Sequence, residues 1–413
     1  MSTASGRTIV VGHLDADCFY VSAERVRHPD LAGKPVGVLG NNGACVIAKS
    51  YEMKAQSVKT GTPIWDAKVL CPTGVYVKRD FYWYEVLSRK MLDIVGSFFS
   101  PLEYYSIDEF FFEAFPRTRG QTLEQVALTT RDHILEASGL PVTIGIGRTR
   151  TLAKLFSDTA KPFGAVAVLN RDHERALLSR LPVTEISGIA GRRAARLSPF
   201  GIRTCLDFAD ADGRLVKQLL TKTGHELWLE LNGRPVTPIR PERSPHQVLA
   251  RGGSLMGDVA DPTMLWAWAV RHIERLIEEL HFHTVRTGSL GIHLAWKDGE
   301  STSGLCNLGC PSDRFDELLD AARVALRRAF RPNEAATHMH VVAPELQRAK
   351  GFQLSLFDLP NPKREALAKV KAAVNARFGR FKVRSGSTLY LPKVYRDPAN
   401  DFDICDVRGK VCF

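Results

Sequence analysis

The sequence has no apolar run approaching the roughly 20 residues that cross a bilayer as a helix, and its beginning shows no basic segment leading into a long apolar stretch with a cleavage site. These absences set aside membrane spans and export, and they predict a cytoplasmic protein without a membrane partner. Paired cysteines are missing as well. The eight cysteines, Cys18, Cys45, Cys71, Cys205, Cys306, Cys310, Cys405 and Cys412, are scattered through 413 residues, too sparse a set to staple so long a chain, and they fit a reducing compartment. Cys306 and Cys310 stand near each other, but neither a C-x-x-C pair nor a histidine at zinc-finger spacing accompanies them, so a zinc clip is not expected.

What the sequence has is length and positive charge. A chain of 413 residues exceeds one ordinary core, so several domains are expected. Its 56 Lys and Arg against 45 Asp and Glu leave a formal charge of +11. That suits an acidic polymer as partner, either nucleic acid or an anionic surface.

RTIVVGHL, residues 7–14, reads as a buried strand leading into Asp15-Ala16-Asp17, followed by a short helix over CFYVSAERV. Between Pro29 and Pro72 the chain is dense in Gly, Pro and short polar pieces, with one strand-like run at 44–48, which is the composition of a small insertion. The pattern then predicts a helix over 82–99, strands over 102–106 and 110–112 around the polar Ile107-Asp108-Glu109 junction, a helix over 123–137 and a strand over 141–147. With the first strand these make a β-α-β-β-α-β order, the ferredoxin-like pattern. TLAKLFSDTAKPFG reads as a helix that stops near Lys161, because Pro162 disfavours helical geometry in the residue before it.

A second unit begins near Leu181, where Gly188 marks a tight turn before the short basic helix of ISGIAGRRAARLSPFGI, a helix-hairpin-helix pattern. Beyond Gly233, PVTPIRPERSPHQ has linker composition and predicts a domain boundary. Helices over 262–280 and 312–330 with strands over 287–296 and 338–342 predict another small α+β unit. KREALAKVKAAVNARFG is helix-like and basic, and the ending after it is too apolar and aromatic for a disordered tail.

Phosphoryl transfer on two divalent ions needs several carboxylates converging from separate segments, since a hard cation takes oxygen ligands and one carboxylate cannot clamp two ions. Asp15 and the Asp108-Glu109 pair answer to this, with the peptide oxygen of Ala16 as a further ligand. Tyr51 and Lys54, three apart on a helix, share a face and offer a hydroxyl and an ammonium to a triphosphate. Read alone, each acidic cluster is also compatible with an ordinary turn or a solvated loop charge.

Through HLDADCFYVSAE at residues 13–24 and YSIDEFFFE at residues 105–113 the sequence resembles the Y family of DNA polymerases, and the resemblance continues through VIAKSYEMK, GTPIWDA, VTIGIGRTRTLAKLFSDTAKPFG and the hairpin segment. It covers residues 1–240 by motif and the stretch to 345 by the order of elements. NNGACVIAKSYEMKA looks closer to the polymerase V catalytic subunit group than to the polymerase IV group. The fold class implied is a multidomain α+β right hand. Its ferredoxin-like palm spans 1–20 and 78–170, its small fingers 21–77, its helix-hairpin-helix thumb 171–240 and its α+β little finger 241–345. A tail, 346–413, follows.

The resemblance implies a template-directed DNA polymerase acting in translesion synthesis and DNA repair, with two Mg2+ ions per active site, primer-template DNA and deoxynucleoside triphosphates as partners, and accessory subunits as further ones. Position by position it makes Asp15, Asp108 and Glu109 the catalytic metal ligands and Tyr20 the wall beneath the incoming sugar. Lys161 matches the lysine that approaches the triphosphate, and Lys54 stands where relatives often carry arginine, whose bidentate fork it lacks. Gly188, Arg192 and Arg193 match the phosphate-binding hairpin of the thumb, although Ala190 replaces a usual second glycine. FQLSLFDL resembles the bacterial sliding-clamp peptide, with Gln353, Leu354, Leu356 and Phe357 as anchors; the same residues also suit an alternating edge strand. Two other readings stay open. A noncatalytic relative would hold only DNA and the clamp as a repair scaffold, and against it stand the three retained carboxylates. A nucleotide cyclase on a similar palm has no use for the hairpin or the clamp-like peptide.

Overall fold

The computed structural model describes residues 9–40, 43–242, 245–349 and 362–396. The chain divides into two compact units, residues 1–39 with 45–243 and residues 40–44 with 244–413; the main division falls in the proline- and arginine-rich stretch. Among the described residues no helix is long and apolar enough to cross a membrane.

The first unit is built on a five-stranded sheet in the order Leu102–Tyr104, Glu109–Glu113, Val11–Ala16, Val142–Gly147, Ala165–Ala167. The helices Phe81–Phe98 and Leu123–Ser138 supply the crossovers, and the first four strands carry the ferredoxin-like order. Val11–Ala16 lies between two antiparallel partners and is buried along its whole length. It runs further than its apolar residues indicate. Asp15 keeps its place in the ladder, opposite Glu109 on one side and Thr143 on the other, because backbone pairing does not depend on the side chain.

The helix Arg150–Ala160 packs directly on this sheet. A Cβ on Gly145 would run into the backbone of Ala153 and Ser157, and one on Gly147 into Ala153, so both positions need glycine for the helix to come so close. Leu152, Leu155 and Phe156 of that helix then join Leu178, Ile186, Leu197, Phe208, Val216 and Leu231 in one core. The helical group Arg171–Arg180, Gly191–Leu197, Cys205–Asp210 and Gly213–Leu231 is therefore anchored on the sheet rather than separate from it. A small sheet in the order Val46–Lys49, Val36–Leu39, Val75–Lys78 completes the first unit. Its core is Leu39, Val46, Met53, Val58, Ala67 and Cys71.

The second unit has a five-stranded antiparallel sheet: four strands run in the order Ser301–Ser312, Val285–Trp296, Ala336–Ala343, Leu249–Val259, and Leu346–Arg348 pairs with the start of Val285–Trp296. The helices Pro262–Phe282 and Phe315–Ala329 bury Ile273, Leu276, Leu318 and Ala325 against Ile292, Leu294, Trp296, Met339 and Val341. The segment 362–396, which the sequence sets apart as a tail, packs on the first of these helices: Lys371 Nζ meets Glu274 Oε1 at 2.6 Å, and Leu391 and Val394 enter the core.

Candidate active site

Asp15 and Glu109 are direct cross-strand partners, so their side chains leave the same face of the sheet. Asp108 occupies the turn just before Glu109; its carbonyl accepts the Ala16 N–H at 2.9 Å, and its carboxylate accepts the Ser106 hydroxyl at 2.6 Å. The register thus brings Asp15, Ala16, Asp108 and Glu109 together. The side chains of Asp15 and Glu109, however, are held by two lysines, Lys154 of the overlying helix Arg150–Ala160 and Lys161 just beyond its end. Lys161 Nζ lies 2.8 Å from Asp15 Oδ2, and Lys154 Nζ 2.6 Å from Glu109 Oε1. Among the described residues no three His, Cys, Asp or Glu side chains are gathered at the distances of a metal centre.

Burial, and after it the neighbouring carboxylates, disfavour charge on Asp15 and Asp108. Burial raises the pKa of Asp15, the neighbouring Asp108 and Glu109 charges raise it further, and Lys161 offsets only part of this. Asp108 is raised by burial and by Glu109, against the Ser106 hydrogen bond. For Lys161 burial disfavours the charge, but Asp15 and Asp158 outweigh it and hold the ammonium above the ordinary lysine value. A hard divalent cation fits this donor chemistry: oxygen ligands only, with negative charge not fully matched by protein cations.

Asp17 is a residue that sequence reasoning passed over. It is buried, and its carboxylate accepts the Phe163 N–H at 2.7 Å, the Thr143 hydroxyl at 3.0 and 3.1 Å, and the Tyr51 hydroxyl at 3.5 Å. Its own N–H donates to Pro141 O at 2.9 Å. One carboxylate therefore ties the end of the first strand to its neighbour strand, to the turn after Lys161 and to the helix Tyr51–Ala55. The only signal in the sequence is its place two residues after Asp15.

Tyr20, on the helix Phe19–Arg27, stacks on Tyr84 with ring centroids 4.6 Å apart at 17°, and Phe81 lies 5.8 Å away. Tyr84 is fixed in turn by donating to Glu24 at 2.7 Å, so the Tyr20 ring has a rigid backing. Tyr51 and the exposed Lys54 lie on Tyr51–Ala55, whose N-terminus Ser50 caps through Met53 N. Gly188 has φ 97°, a left-handed conformation that glycine adopts without strain. Its carbonyl accepts Arg193 Nη1 at 2.7 Å, and Arg192 is exposed at the start of Gly191–Leu197. Gln353, Leu354, Leu356 and Phe357 lie outside the described residues.

The impB/mucB/samB family matches residues 14–158, and its C-terminal domain matches residues 247–356. The chain belongs to the Y family of translesion DNA polymerases. Among the Y-family relatives, DNA polymerase IV of Bacillus velezensis is 28% identical over 93% of this chain and 94% of its own. Protein MucB of Salmonella typhimurium is 28% identical over 88% of this chain and 90% of its own, and Protein UmuC of the same species 27% over 91% and 92%. A solved Y-family DNA polymerase chimera superposes with a TM-score of 0.71 at 22% identity, covering 82% of this chain and 99% of its own. The insertion ternary complex of another DNA polymerase gives a TM-score of 0.56 at 21% identity, with the same coverage. Y-family membership brings with it a general dependence on divalent metal.

Proposed function

We propose that this chain is a template-directed polymerase that adds deoxynucleotides to a primer 3′ end in translesion synthesis and DNA repair, with two Mg2+ ions held by Asp15, Asp108, Glu109 and the peptide oxygen of Ala16. The observation that carries the reading is the register that sets Asp15 against Glu109, with Asp108 in the adjoining turn. When bound, such ions lower the pKa of the primer hydroxyl and neutralise the departing pyrophosphate.

The chain's own residues act by position and charge. Lys161 stays an ammonium across the working pH range and, with Tyr51 and Lys54, binds the triphosphate. Tyr20, backed by Tyr84, closes the space beneath the sugar and excludes a 2′-hydroxyl. Gly188, Arg192 and Arg193 bind the DNA backbone without reading bases. In this reading 1–20 and 78–170 form the palm, 21–77 the fingers, 171–240 the thumb and 241–345 the little finger. Gln353, Leu354, Leu356 and Phe357 tether the enzyme to a bacterial sliding clamp in the cytoplasm, and accessory subunits join the complex.

Primer extension on undamaged and damaged templates with Mg2+, with and without a bacterial clamp, tests the reading. Template-dependent extension on both templates, stimulated by the clamp, is the expected result; DNA binding without extension would leave only a scaffold.

A further inference from the structure

Five side chains above the sheet form a row of alternating charge. Glu109 Oε1 meets Lys154 Nζ at 2.6 Å, Lys154 Nζ stands 3.8 Å from Asp158 Oδ2, Asp158 Oδ1 meets Lys161 Nζ at 3.0 Å, and Lys161 Nζ meets Asp15 Oδ2 at 2.8 Å. Helical spacing fixes the middle of the row, since Lys154 and Asp158 are i,i+4 neighbours. Sheet register fixes its two ends. Lys161 already has a role in the reading above, but Lys154 and Asp158 have none.

The oxygens at the two ends are those the proposed metal ligands would present. An ammonium in contact with Glu109 Oε1 or Asp15 Oδ2 excludes a divalent cation from that oxygen, because like charges at contact repel strongly in a partly desolvated site. A lysine must therefore yield before a cation takes its place. Lys154 has little access to water, its side chain being 16% exposed, so its charge needs another carboxylate close by. Asp158 lies beside both lysines, and its own side chain is 30% exposed, which leaves it free to adjust.

We propose that Asp158 is a positioning residue that receives Lys154 and Lys161 when a divalent ion claims Glu109 and Asp15. It thereby sets the metal affinity of the carboxylates and the place from which Lys161 meets the triphosphate. This rests on the reading of those carboxylates as metal ligands.

The test is Mn2+ binding to the full-length protein, followed by the electron paramagnetic resonance of free Mn2+, beside the KM for deoxynucleotide. Lys154→Met removes a competing cation and should tighten Mn2+ binding about tenfold, while Asp158→Asn should weaken it at least about threefold and raise KM more than it lowers kcat. Asp158→Glu keeps the acceptor and should stay within about twofold of wild type. In a Lys154→Met, Lys161→Met background, Asp158→Asn should have almost no effect on Mn2+ binding. An effect of full size in that background would mean that Asp158 acts as a distant charge and not through the lysines, and would overturn the proposal. So would an unchanged or weaker Mn2+ affinity in Lys154→Met, a variant that decides the matter even if Asp158→Asn fails to fold. Wild-type protein that binds no Mn2+ overturns the reading and the inference together, whereas wild-type binding with an unaffected Lys154→Met overturns the inference alone.

Discussion

The Asp17 carboxylate accepts the N–H of Phe163 at 2.7 Å, joining the end of the central strand to the turn that follows Lys161. The same carboxylate holds Thr143 and reaches Tyr51, so the two flanks of the proposed triphosphate site share one buried acceptor. Asp17→Ala leaves the half-buried Phe163 N–H without its charged partner, a loss of about 1–3 kcal/mol. A lower melting temperature is expected, with a KM for deoxynucleotide that rises more than kcat falls, because Lys161 and Tyr51 lose their common anchor. Steady-state kinetics at saturating Mg2+ check this; an unchanged KM would confine Asp17 to stability.

Tyr20 lies flat on Tyr84 and is buried enough that its phenol is pushed well above the ordinary tyrosine pKa. Tyr20→Ala opens the space beneath the sugar. The ratio of ribonucleotide to deoxynucleotide incorporation should rise by about a hundredfold, the factor expected if the lost exclusion is near 2.7 kcal/mol. If competition assays give the wild-type ratio, Tyr20 is a core aromatic and the sugar is selected elsewhere.

The second unit carries a pH dependence of its own. His272 is buried, neither ring nitrogen has a hydrogen-bond partner among the described residues, and burial with the nearby Arg275, Arg271 and Arg251 charges holds its pKa well below the ordinary value. The unfolded chain takes up that proton near pH 6.5 and the folded chain does not, so stability is full above about pH 6.5 and falls below it, by at most about 1.4 kcal/mol per pH unit. Urea unfolding of the second unit between pH 7.5 and 5.5 should show this slope, reduced in His272→Gln. An equal slope in the variant would assign the effect to other groups.

The polymerase's sequence carries the palm in readable form because its strands are marked by β-branched or aromatic runs, TIGIG at 143–147 and FFF at 110–112, separated by amphipathic helices with clear stops. Ser301–Ser312 was not readable. STSGLCNLGCPS has the composition of a loop, and only pairing with Val285–Trp296 makes it a strand. Val36–Leu39 and Val75–Lys78 are too short to show an alternation. In the site, Asp15, Asp108 and Glu109 stood out as acids at strand ends. Lys154 and Asp17 did not, because their partners come from the closeness of Arg150–Ala160 to Gly145 and Gly147 and from the turn at Phe163.

The clamp reading of Leu356 and Phe357 separates from an edge-strand reading by its effect on free enzyme. Replacing both with Ala should leave clamp-free extension of a short primer intact and remove clamp binding and stimulation, since a tether changes local concentration and not chemistry. Surface plasmon resonance on immobilised clamp beside clamp-free kinetics checks both halves. Loss of clamp-free activity, or unfolding, would instead mark two packed residues whose truncation costs about 2–5 kcal/mol each.

The most direct test of the central claim is single-turnover primer extension with Mg2+ by the wild type, Asp108→Asn and Glu109→Gln, with primer-template affinity and melting temperature measured on the same samples. Asp108 is a half-buried acid whose charge the fold disfavours, so its neutralisation should leave the melting temperature unchanged or raise it by a few degrees. DNA affinity should persist, because backbone contacts carry it. Extension by both variants should fall by at least about a thousandfold, an assignment of roughly 4 kcal/mol to the lost carboxylate charge. Extension at the wild-type rate by either folded, DNA-binding variant would contradict the account.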